Sequence, residues 1–146
     1  MSVLALDIGH KRTGIAVSDP ARTVALPLNM LPTNDILAAS RSFWSLLEEY
    51  DVELLVCGLP LSLDGSERAQ AVRVRDVAQR ISDTYKLPLQ FVDERLSSAE
   101  AKLILKQTGY RERDIRGKTD RIAASLILQT WLDSQPDRSL DEGSKG

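Results

Sequence analysis

The sequence predicts an α/β fold around a mixed five-stranded sheet, a three-strand antiparallel meander followed by βαβ units. Three observations lead there. Short apolar runs with tight links occupy the first 31 residues, two near-continuous apolar runs follow at 52–60 and 87–92, and stretches with apolar residues at helical spacing separate and follow those runs. The 146 residues suit one domain with a single core. Hydrophobic content of 42% with charged content of 27% is that of a soluble globular protein and excludes a fibrous or wholly disordered chain.

Residues 3–8 and 14–18 read as two strands joined by the Gly9–Thr13 turn, and 23–31 as a third. Pro27 and Pro32 place that third strand at a sheet edge or build a bulge into it, because proline cannot donate to a ladder. In the next segment Ile36, Leu37, Phe43, Trp44 and Leu47 fall at helical spacing. The run "VELLVCGLP" (52–60) has the look of a strand buried on both faces. Asp64-Gly65 marks a turn, and Ser66 is a good N-cap for a helix running to about Lys86. "LPLQFVDER" is the last strand; Ser97 with Glu100 three residues on makes a capping box, and Thr119 is the expected cap of a final helix over 120–134. The domain is expected to span 1–135, and the Ser-, Asp- and Gly-rich tail over 136–146 to be disordered.

No apolar stretch approaches the ~20 residues a membrane helix requires, and no charged leader precedes an apolar core, so a cytoplasmic protein without membrane contact is expected. One cysteine, Cys57, excludes an internal disulfide and a Cys-based zinc site; within "LLVCG" it reads as a small buried hydrophobe. A net charge of −2 argues against a general polyanion binder, but the distribution is uneven: residues 106–121 hold six Lys and Arg against three Asp and Glu.

Three carboxylates stand out. Asp7 interrupts an apolar strand and shares a face with the small residues Ala5 and Gly9. Either an arginine pairs with it inside the protein, or it faces a cleft as a metal ligand or catalytic acid, since an unpaired buried charge is costly. Asp93 and Glu94 end the last strand, and without a bend only one of them can share the face of Asp7. Asp120 is expected in the first turn of the last helix, where an acidic residue also satisfies the macrodipole. Strand ends and helix starts converge at one edge of such a sheet. Oxygen donors without a Cys or His cluster suit Mg²⁺ or Mn²⁺, and two such ions about 4 Å apart can activate water and stabilise a leaving oxygen.

Cations accompany them. Lys11 and Arg12 lie a few residues past Asp7 and can hold a phosphate, or simply tip a solvated hairpin. "GLPLSLDGSER" leads into a helix whose N-terminal amides, with Ser66, can receive a phosphate. Arg68, Arg73, Arg75 and Arg80 follow along that helix; some can track a nucleic-acid backbone, although a solvated polar face is the expectation for any one of them. The best nucleic-acid track is a mobile, glycine-containing segment in which Arg111, Arg113, Arg116 and Lys118 lead to Asp120, with Tyr110 available to stack on a base. Phe43, Trp44 and Trp131 serve either core or interface.

The blocks "ALDIGHKRTGIAVSD", "VCGLPLSLDGSE", "VDERLSSAEA" and "GKTDRIAASLILQTWLD" resemble the YqgF/RuvX family of the ribonuclease H-like superfamily, over residues 3 to 134. The resemblance implies a ribonuclease H-like fold with helices on both sheet faces. It puts Asp7, Glu94 and Asp120 on the family's three acidic positions, with Glu94 rather than Asp93 facing the site, and favours function for Lys11 and Arg12. His10, the only histidine, stands where the family is variable and is given no role. Members are described as Holliday junction resolvases and as nucleases maturing the 5′ end of 16S ribosomal RNA. A metal-dependent nuclease acting on precursor rRNA is therefore expected, with a junction resolvase as the alternative. The ribosome is a further possible partner, and a homodimer is required only for symmetric junction cutting. "DIG…G" also resembles the phosphate loop of actin-like ATPases and sugar kinases, but those bind nucleotide between two such domains. A non-catalytic RNA- or ribosome-binding module is the remaining rival, and it predicts tolerance of Asp7→Ala.

Overall fold

Strand β1 (Ser2–Ile8) is buried on both faces, and that double burial organises the molecule. Leu4, Leu6 and Ile8 point into one core; Val3 and Ala5 point into a second. β1 pairs antiparallel with β2 (Arg12–Ser18), and β2 pairs antiparallel with β3 (Ala25–Pro32). On its other side β1 pairs parallel with β4 (Val52–Leu59), which pairs parallel with β5 (Leu89–Asp93). The order β3-β2-β1-β4-β5 is the predicted mixed five-stranded sheet, meander first. The computed structural model describes residues 1–61, 64, 67–94 and 112–135, with backbone alone over 112–121. The Ser97–Glu100 capping box and the tail from 136 lie outside the described residues.

β3 is both an edge strand and a bulged one. The register shifts between Gly14↔Met30 and Ala16↔Pro27, so Leu28 and Asn29 together oppose Ile15. Pro27, with no N–H to donate, sits beside this irregularity.

One face of the sheet carries α1 (Thr33–Leu37), α2 (Arg41–Glu49) and α3 (Ala69–Tyr85). Ile36, Phe43, Leu47, Val74 and Ile81 fill the core beneath them, each such side chain contributing about 1.5–3 kcal/mol. The periodic segment after β3 is two helices. Ala39 takes φ 60° and its N–H bonds Ile36 O, while Ser40 N–H bonds Asp35 O, a paired-carbonyl stop that ends α1. Ser66 is not the cap of α3: the helix begins at Ala69 behind an extended Arg68. Glu67 lies outside the helix, its carboxylate paired with Arg75, so the helical stretch is two residues shorter than the pattern suggested.

Among the described residues the opposite face carries one helix, α4 (Glu112–Ser134). Ala124, Ile127, Leu128, Trp131 and Leu132 pack over Val3, Ala5, Ala16 and Val56. Trp131 Nε1 donates to Gln90 Oε1 of β5 at 2.8 Å, and Gln129 ties the helix to β3 by accepting from Ala25 N–H at 3.0 Å. Thr119 is therefore not a cap. The backbone is helical from Glu112, so the stretch expected as a mobile basic loop is helix from that residue on. Phe43 and Trp131 are core residues; Trp44 is exposed and packs edge-on against Tyr85.

Candidate active site

Because β1, β4 and β5 run parallel, their C-terminal ends emerge at one edge of the sheet. Asp7 lies at that edge, half-buried, on the α4 face with Val3 and Ala5. Both flanking strands present glycine beside it. Gly14 is its partner on β2, and one step beyond Leu6↔Cys57 the register brings Gly58 of β4 alongside.

Asp93 and Glu94 divide between the two faces. Leu89 and Phe91 pack into the three-helix core, whereas Val92 packs against the α4 core and Gln90 bonds Trp131. Glu94 continues the second set and reaches Asp7 across Gly58, the two carboxyls sharing a hydrogen bond. A Cβ at position 58 would stand 3.6 Å from Glu94 Cγ and 3.0 Å from Ile127 Cγ1. Burial first, then the charge of Asp7 and the hydrogen bond to it, push the Glu94 carboxyl up to about 7. Two carboxylates cannot bond one another without a proton, so the pair holds one between them. Cys57 lies on the other face, in the three-helix core; burial pushes its thiol up, and the two carboxylates push it further.

Asp120 is not in the first turn of its helix. It lies more than two turns past Glu112, beyond the reach of a terminal macrodipole, so that alternative for its presence falls away. Position 120 is one turn before Ala124, in line with the stripe that packs onto the sheet. Positions 113 and 116 fall on the same stripe, while 118 falls on the opposite one. Arg111, Tyr110 and Ser66 lie outside the described residues. His, Cys, Asp and Glu do not gather in threes among the described side chains, which include Asp7 and Glu94 but not Asp120.

Lys11 and Arg12 are exposed on a turn that is itself braced by hydrogen bonds. Gly9 N–H donates to Arg12 O at 2.9 Å, and a Cβ on Gly9 would lie 2.6 Å from that oxygen, so only glycine fits. Thr33, buried at the start of α1, holds the turn from outside. Its N–H donates to Lys11 O at 2.9 Å and its hydroxyl donates to Gly9 O at 3.0 Å. That leaves Thr13 as donor in the 2.9 Å contact between the two threonine hydroxyls. Arg12 shares the register of Gly14 and Ala16, and so belongs to the face of Asp7. His10 is an exposed turn residue.

The α3 arginines are less uniform. Arg75 pairs with Glu67 and lies 4.6 Å above the Phe91 ring, so it is engaged within the fold. Arg73 is half-buried, its Nε and Nη2 without hydrogen-bond partners, and Arg68 and Arg80 are exposed.

Two residues went unnoticed in the sequence. In the sequence Gly58 shows only as the end of an apolar run, although a glycine inside a strand pattern marks a close approach. Thr33 gave no signal at all, because its partners Gly9 and Thr13 lie at the far end of a hairpin.

Residues 1–134 match the family described as "RuvX: Holliday junction resolvase". A protein of Crocosphaera subtropica named "Putative pre-16S rRNA nuclease" is 39% identical over 135 residues, covering 92% of this chain and 94% of the relative. A Synechococcus protein of the same name is 40% identical over 134 residues, covering 92% and 90%. The crystal structure of the fowlpox virus Holliday junction resolvase superposes with a TM-score of 0.52 at 15% identity, covering 92% of this chain and all of that one, a likeness of fold. With the predicted sheet and both helical layers in place, the chain belongs to the RuvX family of nucleases and has the ribonuclease H-like fold.

Proposed function

We propose that the protein is a divalent-metal-dependent endonuclease acting in 5′-end maturation of 16S ribosomal RNA. The observation that carries the metal is the contact between Asp7 and Glu94 across Gly58. Two carboxyls brought together in a half-buried site hold a proton in common, and a hard dication is the natural replacement for it. The donor set fits: oxygen from Asp7 and Glu94, with Asp120 carried on the helix that packs on the same face, while Cys57 faces the other core. Asp7, Glu94 and Asp120 would hold Mg²⁺ or Mn²⁺, which supplies a nucleophilic water at neutral pH and positive charge for the departing 3′-oxygen.

The remaining work falls to this chain. Asp7 and Glu94 would release their shared proton to solvent on holding a cation. Arg12 and Lys11, fixed by Gly9 and Thr33, position the phosphodiester through its oxygens, and Arg113 and Arg116 extend the cationic track along α4. Such contacts fix register without reading sequence. The choice of rRNA follows the names of the relatives at 39–40% identity. The family description favours the second reading, a junction resolvase, which requires a dimer for paired cuts. A cytoplasmic setting, with the ribosome as possible partner, accords with the first. Among the described residues no helix is long and apolar enough to cross a membrane.

One gel tests this. The purified protein, with Mn²⁺ or Mg²⁺, receives a labelled 16S precursor fragment and a four-way DNA junction in parallel, with Asp7→Asn and a chelated sample as controls. Metal-dependent cuts in the RNA alone support maturation; paired symmetric nicks in the junction alone identify a resolvase. Cleavage that survives Asp7→Asn or chelation would sink the metal site. Binding without cleavage in every lane would leave a non-catalytic module.

A further inference from the structure

The bulge in β3 opens a groove of about 530 Å³ between the sheet edge and the flank of α4, lined by Pro27, Leu28, Asn29, Met30 and Ile122. Its walls are mostly apolar, with Asn29 the polar exception, and Met30 is 37% exposed. A bulge beside a site commonly re-aims side chains, and here it leaves Pro27 and Met30, three residues apart, on the same face. Ile122 closes the groove from α4, two residues past position 120. Arg12 pairs with Pro32 and Gly14 with Met30, so Arg12 and Met30 are diagonal neighbours on the Asp7 face, about 7–8 Å apart.

We propose that this groove receives an unstacked nucleobase whose own phosphate is held at Arg12, next to the cleaved bond. The occupant follows from continuity and charge. An exposed cation stands at one end of an apolar slot, at a spacing that suits a phosphate and its base. Met30 and Ile122 offer faces for a ring, and Asn29 together with the open edge of β3 offers hydrogen-bonding groups to the base edge. Single-stranded or splayed nucleic acid is the chemistry that fits, and the inference rests on the nuclease reading above.

The test is binding, measured apart from cleavage. A fluorescent single-stranded RNA is titrated with the protein in Ca²⁺, and the titration is repeated with an abasic residue at each position in turn. With the wild type, one position loses about fivefold or more in affinity when its base is removed. Met30→Ala weakens the intact strand to a similar degree and makes that position insensitive to base removal. Uniform weakening of all strands by Met30→Ala, or the absence of any base-sensitive position, overturns the proposal. So does a shift from dimer to monomer in Met30→Arg by sedimentation, which would give the groove to a second copy of the chain. Cleavage in Mn²⁺ is scored separately. Base-sensitive binding without cleavage would count against the nuclease reading alone, and cleavage without base sensitivity against the groove alone.

Discussion

Asp7 and Glu94, 87 positions apart on strands that do not touch, share a hydrogen bond over the bare backbone of Gly58. The strand between them carries no side chain at the crossing point. That gap lets two acids from β1 and the end of β5 act on one ligand, and it makes their common proton a measurable quantity.

The proton predicts an inverted pH response. Unfolded, the Glu94 carboxyl titrates near its ordinary value of 4.5; folded, it holds its proton up to about 7. The folded state binds that proton more tightly, so the contribution to stability is complete below about pH 4.5 and is lost as pH rises through 7. In chelator, the melting temperature of the wild type should fall relative to Glu94→Gln between pH 5 and pH 8. Saturating Mn²⁺ should reverse the order at pH 8, because only the wild type retains both carboxylates. Parallel melting curves for the two proteins in chelator at every pH would show that the proton is not held there.

Gly58→Ala should damage the site and the fold together. The added methyl meets the Ile127 side chain on α4 and the Glu94 methylene just past β5. The Ile127 side chain, buried against the sheet, must change its packing to make room, at an overpacking cost of about 1–3 kcal/mol. The expected result is a lower denaturant midpoint with cleavage reduced on the order of a hundredfold, the scale of losing one well-placed charge stabiliser. Gly58→Ala with Ile127→Val should recover part of the stability. No recovery would mean that the strain lies elsewhere.

The sheet was legible because hydrophobic pattern, proline placement and tight links agreed, and each is a local property. β3 shows this best: two prolines announced an edge or a bulge, and the strand has both. Helix boundaries were less legible, for reasons that were not local. The cap expected at Ser66 and the cap expected at Thr119 both had suitable chemistry, yet Glu67 is held outside α3 by Arg75, and α4 runs back to Glu112. The alternation rule left Asp93 and Glu94 equivalent until family resemblance chose between them; the packing of Val92 and Gln90 shows the physical reason for Glu94. Gly58 acquires meaning only when β1 and β5 are both in view.

Thr33→Val should loosen the cationic turn without touching it. Thr33 is buried; its hydroxyl donates to Gly9 O and accepts from Thr13. Valine fills the same space but strands a buried hydroxyl and a carbonyl, at about 1–3 kcal/mol. Stability should fall by that amount, and nucleic-acid affinity should fall as Lys11 and Arg12 lose their fixed geometry. The double variant Thr13→Val/Thr33→Val removes the stranded hydroxyl and should regain stability but not affinity. A double variant that recovers affinity as well would show that the turn does not need Thr33 to hold its cations in place.

The two kinds of arginine can be told apart by salt. Arg12 is exposed at the site edge, whereas Arg75 pairs with Glu67 and covers Phe91. An arginine that contacts a phosphate releases a condensed counterion, so removing it lowers the slope of log affinity against log salt by about 0.7–0.9. Arg12→Gln should show that decrease with single- or double-stranded substrate alike, together with weaker binding at low salt. Arg75→Gln should leave the slope unchanged and lower stability instead, because it removes packing on Phe91 along with an ion pair. Equal slope changes for the two variants would mean that α3 lies along the nucleic-acid path after all. The track would then cross the three-helix face, away from the face on which Asp7 and Glu94 meet.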